Sequence, residues 1–276
     1  MAGNLRVAVR RRLDAELVRR GLTASRQRAL EAIGSGRVLV DGMPARSAAR
    51  RVTADEPISL SGGGPRFVSR GGEKLQAALD RFEVPVTGRR ALDAGASTGG
   101  FTDCLLQAGA AHVVAVDVGH GQLAWSLRTD PRVTVLERTN VRHLGAADIG
   151  GPAVLCTADL SFISLSVCAP ALARCTEVDA DLLLLVKPQF EAGRSQVGKG
   201  GVVRDSSVHR DVLRRVRDDI ARPGLCAVAV VPSPLRGADG NVEFFLHCRK
   251  AADALVADDA LDAAVAIAQE DVGAGS

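Results

Sequence analysis

Several features that would point to other protein classes are missing from this sequence. None of the six cysteines forms a CxxC pair, so neither a zinc site nor a thioredoxin-like motif is indicated, and we expect no metal. No apolar run approaches the roughly 20 residues of a membrane helix. The basic amino-terminal segment is not followed by the apolar stretch of a secretory signal. We therefore expect a cytoplasmic protein that does not enter a membrane.

A motif for nucleotide hydrolysis is also incomplete. The stretch from Gly193 to Gly200 has the spacing of a phosphate-binding P-loop, but Gly200 stands where a serine or threonine would hold magnesium. ATP hydrolysis is therefore not expected.

Positive charge is concentrated at the start of the chain. Residues 1–70 contain 14 arginines, no lysine and six acidic residues, which gives a net charge of +8, whereas the rest of the chain carries −5. Such asymmetry favours a module that binds a polyanion, attached to a second domain. The simpler alternative is a solvated surface in a protein that prefers arginine, since the chain has only four lysines.

Residues 11–61 are predicted to form a small α+β domain. The pattern indicates a helix over 12–20, a second helix that begins after Ser25, and short strands near 37–40 and 58–60. This segment, RLDAELVRRGLTASRQRALEAIGSGRVLVDG, resembles the S-four RNA-binding domain. Arginines crowd it, and such a cluster can bind phosphates without reading a base sequence. The candidate RNA-binding residues are Arg12, Arg19, Arg20, Arg26, Arg28 and Arg37.

Residues 62–70 are predicted to be a linker, because glycine and proline follow one another there. A helix is expected over 71–83. From Arg90 onward predicted strands and helices alternate, which favours an α/β domain with a mostly parallel sheet over 71–250. Residues 251–276 are expected to form a terminal helix and a loose tail.

A glycine-rich turn is predicted to bind the cofactor. It follows a strand and precedes a helix, so the backbone there can approach a ligand closely. A nicotinamide dinucleotide, S-adenosylmethionine or no ligand at all are the alternatives; the interrupted G-x-G-x-x-G pattern and the acidic Asp93 favour the cationic S-adenosylmethionine. Asp117, after the next strand, could accept ribose hydroxyls in either case. The candidate cofactor residues are Asp93, Gly95, Ala96, Ser97, Thr98, Gly99, Gly100, Asp117 and Asp159.

Two lysines and two carboxylates are candidates for catalysis. Lys187 follows the apolar run Leu182–Val186, and Asp159 follows a neighbouring predicted strand; ligands of open α/β sheets bind at such strand ends. Glu243 begins the last predicted strand, and Lys74 lies on the helix before the sheet. Together they could take the proton of a ribose 2'-hydroxyl. Lys187 would be the base, and the positive charge of Lys74 would make it easier for Lys187 to lose its own proton beforehand. Most of the rate gain would come from alignment.

The motifs SRGGEKL, DAGASTGGFTD, ADLSFISL, LVKPQFE and GNVEFF occur in order, and with them the chain resembles the TlyA family, within the FtsJ-like RNA methyltransferases. The resemblance implies a Rossmann-like S-adenosylmethionine-dependent domain after the S-four domain. It also implies 2'-O-methylation of cytidines in ribosomal RNA and places the catalytic tetrad on Lys74, Asp159, Lys187 and Glu243. Phe67 stands where the family's interdomain linker often has tryptophan, which puts any coupling through the linker in doubt.

Two other functions are set against this expectation. A ribosome-associated RNA-binding protein with a vestigial cofactor fold would bind RNA without methyl transfer. Membrane lysis is a further alternative, because relatives are often named haemolysins. The sequence does not favour it, since it has neither a spanning segment nor a strongly amphipathic basic helix. We expect a monomer whose partner is ribosomal RNA in ribosomal subunits.

Overall fold

A computed structural model describes residues 10–61, 66–237, 239–250, 252 and 254–273. The contacts divide the chain into two compact units, residues 1–66 and 67–276. The predicted linker residues Gly62–Pro65 and the last three residues of the predicted tail lie outside the described residues.

Two helices and short strands make up the amino-terminal unit, as predicted. Helix α1 ends one residue before the predicted limit, and α2 ends one residue after Ile33, where the sequence predicts its end. In chain order the elements are β1 (Arg11–Arg12), α1 (Leu13–Arg19), α2 (Arg26–Gly34), β2 (Val38–Val40), β3 (Met43–Pro44), β4 (Arg51–Val52) and β5 (Ile58–Leu60). Strand β2 pairs antiparallel with β3 and β5, and β1 pairs with β4.

A small apolar core holds this unit together. Leu13 and Leu17 of α1 pack with Ile33 of α2 and with Val38 and Val40 of β2, and all five are almost fully buried. Ser25 caps α2, since its hydroxyl accepts a hydrogen bond from the Arg28 amide at 3.3 Å.

The second unit is built around a sheet of seven strands in the part of the chain that the structure describes. They are β6 (Arg90–Ala94), β7 (His112–Val116), β8 (Val133–Leu136), β9 (Ala153–Ala158), β10 (Thr176–Val186), β11 (Cys226–Pro232) and β12 (Phe244–Arg249). Across the sheet the order is β11-β12-β10-β9-β6-β7-β8. Strand β12 runs antiparallel to both of its neighbours, and the other pairings are parallel. The expectation of a mostly parallel α/β sheet is confirmed.

The order of the strands marks where a ligand would bind. The chain leaves β6 for β7 and β8 on one side and then returns to β9 on the other side of β6. The strand order therefore reverses between β6 and β9, and crevices at such switch points bind ligands outside the carboxyl ends of the strands.

Helices cover both faces of the sheet. They are α3 (Arg70–Phe82), α4 (Gly100–Gln107), α5 (Trp125–Arg128), α6 (Leu165–Arg174), α7 (Pro188–Glu191), α8 (Ser206–Ala221) and α9 (Asp258–Gly273). Along β10, Leu182 and Leu184 face the cluster under α6, α8 and α9, whereas Leu183 and Leu185 face the cluster under α3 and α4. This alternation explains the continuous run of leucines, because a strand buried on both faces needs apolar residues at every position.

Candidate active site and nucleic-acid interface

The sheet brings three of the four predicted catalytic residues to one edge. Asp159 follows β9, Lys187 follows β10, and Glu243 precedes the reversed strand β12, so all three lie at the carboxyl edge of the parallel strands. Val186 pairs with Phe244 across the antiparallel strands β10 and β12. Lys187 and Glu243 therefore face each other at the next position, with their Cα atoms about 5 Å apart.

Lys74 reaches the same edge from helix α3. Its Nζ lies 2.5 Å from Glu243 Oε2, and the two side chains are only 9% and 2% exposed. Leu75, Ala78 and Leu79 face the apolar cluster beneath α3, so the helix rests on the sheet and Lys74, one turn into the helix, faces inward.

Lys187 forms the second ion pair of the tetrad. Its Nζ lies 2.5 Å from Asp159 Oδ1 and donates a hydrogen bond to Ser161 Oγ at 2.9 Å. This pair is more open, since Lys187 is 12% and Asp159 25% exposed. The structure thus sets each predicted lysine against a predicted carboxylate. Ser161 was not singled out from the sequence, although it lies in the quoted motif ADLSFISL two residues after Asp159.

Close backbone approach explains the glycines of the turn after β6. Gly95 has a positive φ of +87°, and a Cβ there would lie 2.5 Å from the Asp159 carbonyl oxygen, so the turn can touch the end of β9 only with glycine. Gly100 opens α4, and a Cβ at that position would collide with the side chain of Ser69 just before α3. The turn therefore packs directly against the loop after β9 and the start of α3, which carry Asp159 and Lys74.

Asp117, which directly follows β7, forms hydrogen bonds with the glycine-rich turn and with its own loop. Its Oδ2 accepts a hydrogen bond from the Ser97 amide at 2.8 Å, and its Oδ1 accepts one from the Gly119 amide at 2.6 Å. A small pocket lies beside it, lined by Ala96, Ser97, Ala115, Asp117, Gly119, Gln122, Leu123, Val135 and Glu137.

Glu137 is a member of this pocket that sequence reasoning missed. It follows β8 as Asp117 follows β7, which was the available signal. Partial burial would raise the pKa of Glu137, but the Gly121 amide, Arg128 and His120 donate hydrogen bonds that hold the pKa below its ordinary value. The pocket is thus bordered by two carboxylates.

Asp93 does not reach this pocket, contrary to the expectation that it faces a cationic ligand. It is fully buried, and its carboxyl accepts hydrogen bonds from Thr102 Oγ1 at 2.6 Å and Thr157 Oγ1 at 3.3 Å. Burial raises the pKa of Asp93 to about 7. Its side chain points into the layer between the sheet and α4, where it joins strand to helix.

The remaining residues of the edge fit S-adenosylmethionine, whose sulfonium is cationic and whose ribose presents two hydroxyls. Asp117, Glu137 and Asp159 supply carboxylates after three strands, and the backbone of the turn lies between them. Two apolar side chains in the segment that follows Asp117 are exposed rather than packed: Val118 at 67% and Trp125 at 76%. From the sequence alone, Trp125 is expected to fill the core rather than to pack over the cofactor. The structure contradicts this expectation, because α5 leaves the indole on the surface.

Ser97 is not an activated nucleophile in the part of the chain that the structure describes. Gly95–Gly99 matches the G-x-S-x-G spacing of a hydrolase nucleophile turn, and Ser97 has a positive φ of 49°. Its hydroxyl approaches Gln122 Oε1 at 3.4 Å. No histidine hydrogen-bonds to it, since His120 is held by Glu137 at 2.6 Å.

The arginines of the amino-terminal unit surround two buried acids. Asp14 and Glu16 are 2% and 1% exposed. Asp14 accepts hydrogen bonds from Arg12 and Arg26, and Glu16 accepts them from Arg19 and Arg20. The guanidinium groups are thus held in place around the two carboxylates.

Hydrogen bonding separates Arg20 from the other candidates. Arg12, Arg19, Arg26 and Arg28 are exposed and Arg37 is half-buried. Arg20 is 19% exposed and, besides Glu16, donates to the carbonyl oxygens of Thr53, Ala54 and Glu56 at 2.9–3.0 Å. These contacts occupy its donors, which argues against the prediction that Arg20 binds phosphate.

The described residues contain neither a metal-binding cluster nor a membrane-spanning helix. No group of three or more histidine, cysteine and acidic side chains is arranged to hold a metal ion. No helix combines the length and the apolar character that spanning a bilayer would require.

Comparison with known proteins gives matches along most of the chain. The model of the FtsJ-like methyltransferase family matches residues 67–250, and the model of the S4 domain, the S-four domain of the sequence analysis, matches residues 11–58. The 16S/23S rRNA (cytidine-2'-O)-methyltransferase TlyA of Mycobacterium tuberculosis is 53% identical over 94% of this chain and 97% of its own. Hemolysin A of Brachyspira hyodysenteriae is 39% identical over 86% of this chain and 98% of its own.

A solved structure shows the same fold over nearly the full length. It is that of a hemolysin-named protein from Streptococcus thermophilus, with a TM-score of 0.77, 37% identity, and coverage of 96% of this chain and 98% of that one.

Proposed function

Because this chain belongs to the TlyA family of FtsJ-like methyltransferases, we propose that it methylates the ribose 2'-hydroxyl of cytidines in ribosomal RNA. S-adenosylmethionine would be the methyl donor. The observation that carries the proposal is the pairing of two lysines with two carboxylates at the carboxyl edge of the sheet, beside the glycine turn.

The cofactor would be held by the turn Gly95–Gly100 and by the carboxylates that follow the strands. Asp117 would accept the ribose hydroxyls through the lone pairs that its two backbone hydrogen bonds leave free. Asp159, next to the turn, would face the positive end of the ligand. When bound, S-adenosylmethionine supplies an electrophilic methyl group on its sulfonium.

The two ion pairs of the tetrad would have different roles. Lys187 would contact the 2'-hydroxyl and direct the proton that the oxygen loses on methylation; it can accept that proton itself only after its own has passed to Asp159 or to water. Asp159 and Ser161 fix its Nζ from two sides. Lys74 and Glu243 form a buried ion pair, so we assign them to shaping the ribose pocket. Orientation by four fixed side chains accounts for most of the expected rate gain.

The amino-terminal unit would bind the RNA. Four of the six candidate arginines, Arg12, Arg19, Arg26 and Arg28, are exposed and Arg37 is half-buried, on a unit with a strong positive charge. Contacts of this kind go to phosphates and position the protein without reading bases. We place this RNA-binding domain at 11–61, a linker at 62–70, the methyltransferase domain at 71–250, and a terminal helix and tail at 251–276.

The substrate assignment also suggests the setting of the enzyme. We propose that it acts in the cytoplasm, as a monomer, on ribosomal RNA assembled in ribosomal subunits.

The proposal is tested by incubating purified ribosomal subunits with labelled S-adenosylmethionine and the protein. We expect label in the RNA, and its loss with Lys187→Ala. A non-catalytic ribosome-binding protein would bind the subunits and transfer no label, and that result would refute the proposal.

A further inference from the structure

Two arginines stand beside the buried ion pair and have no part in the proposed tetrad. Arg70 is the first residue of α3, one turn before Lys74, and Arg236 lies in the segment that leads from β11 to Glu243. Both are exposed. Residues four apart on a helix share a face, so Arg70 lies above Lys74 on the solvent side.

Backbone contacts hold the two arginines together. Arg70 Nη2 donates to the carbonyl oxygen of Arg236 at 2.9 Å, and Arg236 Nη1 donates to the carbonyl oxygen of Gly240 at 3.0 Å. The segment folds back onto Glu243, because the Ser233 amide donates to the Glu243 carbonyl at 2.8 Å. The segment also touches the ion pair, since a Cβ on Gly237 would collide with Glu243 Oε1, so both arginines are held on the segment that packs beside the Lys74–Glu243 pair.

No carboxylate neutralises them in the described residues. The acids closest in sequence, Glu73 and Asp239, form no ion pair with either arginine there, and neither does Glu243, which binds Lys74. Carbonyl contacts fix the direction of a guanidinium and leave its full charge and several of its five donors available. Two such charges held on neighbouring parts of one surface repel one another and favour a nearby anion.

The proposed substrate supplies that anion. In RNA the 2'-oxygen and the 3'-phosphate are attached to adjacent carbons of one ribose, so a group that acts on the oxygen works within a few ångströms of a phosphate. Resting on the proposed function, we propose that Arg70 and Arg236 bind the backbone phosphate next to the target ribose. They would fix the strand at the Lys74–Glu243 side of the site.

The test compares Arg70→Gln and Arg236→Gln with Arg81→Gln, which removes an exposed arginine three turns farther along α3. Binding of ribosomal subunits is measured between 50 and 300 mM salt, together with kcat and KM for methyl transfer. Each site variant should lower the slope of log affinity against log salt by about 0.7–0.9 and raise KM with little change in kcat. Arg81→Gln should change neither, and Arg70→Lys should keep the slope.

Unchanged slopes in both site variants would overturn the proposal, and so would an equal fall in all three glutamine variants, which would indicate general surface charge. Transfer by the wild-type protein tests the proposed function separately. If the wild type transfers no methyl group while the slopes still change, the methyltransferase assignment fails and the phosphate site stands.

A second inference concerns Glu191, a carboxylate that joins the two loops of the open ion pair. Its Oε1 accepts a hydrogen bond from the Leu165 amide at 2.8 Å, and its Oε2 accepts one from Ser164 Oγ at 2.6 Å. Leu165 begins α6, at the end of the loop that starts with Asp159. Glu191 ends α7, four residues after Lys187.

The two loops are thus tied at both ends. Lys187 holds Asp159 and Ser161 at the sheet, and Glu191 holds Ser164 and Leu165 farther out. Between these points the rings of Phe162 and Phe190 lie 4.9 Å apart. We infer that Glu191 is a positioning residue that sets the distance between Lys187 and Asp159.

Glu191→Ala should lower kcat about 10- to 100-fold, because a displacement of about 1 Å at a catalytic group costs that much, and should leave KM unchanged. Glu191→Gln keeps an oxygen that accepts the Leu165 amide, so it should retain most of the activity. The control is Asp205→Ala, which removes a carboxylate that caps α8 through the Ser207 amide at 2.8 Å, and which should lower stability without lowering kcat.

A normal kcat in Glu191→Ala would overturn the inference. An equal loss in Glu191→Gln and Glu191→Ala would also overturn it, because the negative charge rather than the positioning would then be what matters.

Discussion

The two units of this protein place their charges in opposite ways. The amino-terminal unit buries carboxylates, Asp14 and Glu16, and three of the four arginines that bind them, Arg12, Arg19 and Arg26, are turned outward. The second unit draws ammonium groups inward at the carboxyl edge of the sheet, where Lys74 and Lys187 each meet a carboxylate. Outward cations suit a long polyanion, whereas inward, paired cations suit chemistry at a single atom.

The sharpest way to break this comparison is to remove the ammonium group nearest to the proposed reaction. Lys187→Ala should lower kcat for methyl transfer by about 10²–10⁴-fold, the usual contribution of a positioned acid or base, with RNA affinity nearly unchanged. Steady-state kinetics and subunit binding measure the two effects. A fall in RNA affinity with a normal kcat would show that Lys187 binds RNA, as the exposed arginines are proposed to do, and has no part in the reaction.

The next effect is on stability. Glu243→Gln leaves the ammonium of Lys74 buried without its anion, which should cost about 3–5 kcal/mol of unfolding free energy. Urea unfolding of the second unit measures it. Asp159→Asn is the matched control: this ion pair is more open to water, chiefly at Asp159, and Lys187 keeps Ser161, so the loss should be clearly smaller. Equal losses would show that the two pairs do not differ as their burial suggests.

A smaller effect is expected from the outward arginines. Arg28→Gln and Arg37→Gln together should weaken binding of ribosomal subunits and reduce its salt dependence, with kcat unchanged. Among the described residues Arg28 pairs with the exposed Glu31, and Arg37 donates to the hydroxyl of Ser35. Arg222→Gln, on an exposed arginine paired with Asp219, should leave binding unaffected. Arg20→Gln should instead destabilise the unit, since Arg20 joins Glu16 to three carbonyl groups. Loss of binding in Arg222→Gln alone would contradict the assignment.

The smallest effect concerns pH. Hydrogen bonds from Arg19 and Arg20 lower the pKa of Glu16 to about 2 from an ordinary value of 4.5. A carboxyl with a lowered pKa in the folded state stabilises above its ordinary pKa and loses that contribution as pH falls. Unfolding of the amino-terminal unit should therefore become easier between pH 4.5 and 2, and Glu16→Gln should remove part of this dependence in urea titrations at pH 7 and pH 3.

Asp93 in the second unit gives the opposite sign. Burial raises its pKa from 3.8 to about 7, so its contribution is present below pH 3.8 and is lost as pH rises through 7. Asp93→Asn should flatten that part of the curve. The wild-type unfolding free energy, compared with that of Asp93→Asn, should fall between pH 4 and 7. A rise over this range would contradict the buried, hydroxyl-bound position of Asp93.

Strand ends were the part of the site that the sequence could predict. Apolar runs locate β9 and β10, and the residues that follow them, Asp159 and Lys187, must meet at one edge of a parallel sheet. The pairing of each lysine with a particular carboxylate could not be predicted, because it depends on the register of β12 and on how α3 lies on the sheet.

Other assignments failed because they needed the direction of a side chain. Asp93 and Asp117 both stand at strand ends, but the alternation of a strand turns Asp93 toward α4 and away from the pocket. Arg20 and its neighbours look alike in sequence, and only the return of residues 53–56 beside α1 gives Arg20 its carbonyl partners. Ser161 and Glu191 become visible only when two loops distant in sequence lie together.

The central claim is that the paired lysines serve methyl transfer to a ribose oxygen. It is tested most directly by nucleoside mass spectrometry of ribosomal RNA, after ribosomal subunits have been incubated with S-adenosylmethionine and either the wild-type protein or Lys187→Ala. We expect 2'-O-methylcytidine to appear with the wild type and to be absent with the variant. A methyl group on a base, or equal methylation by both proteins, would contradict the account.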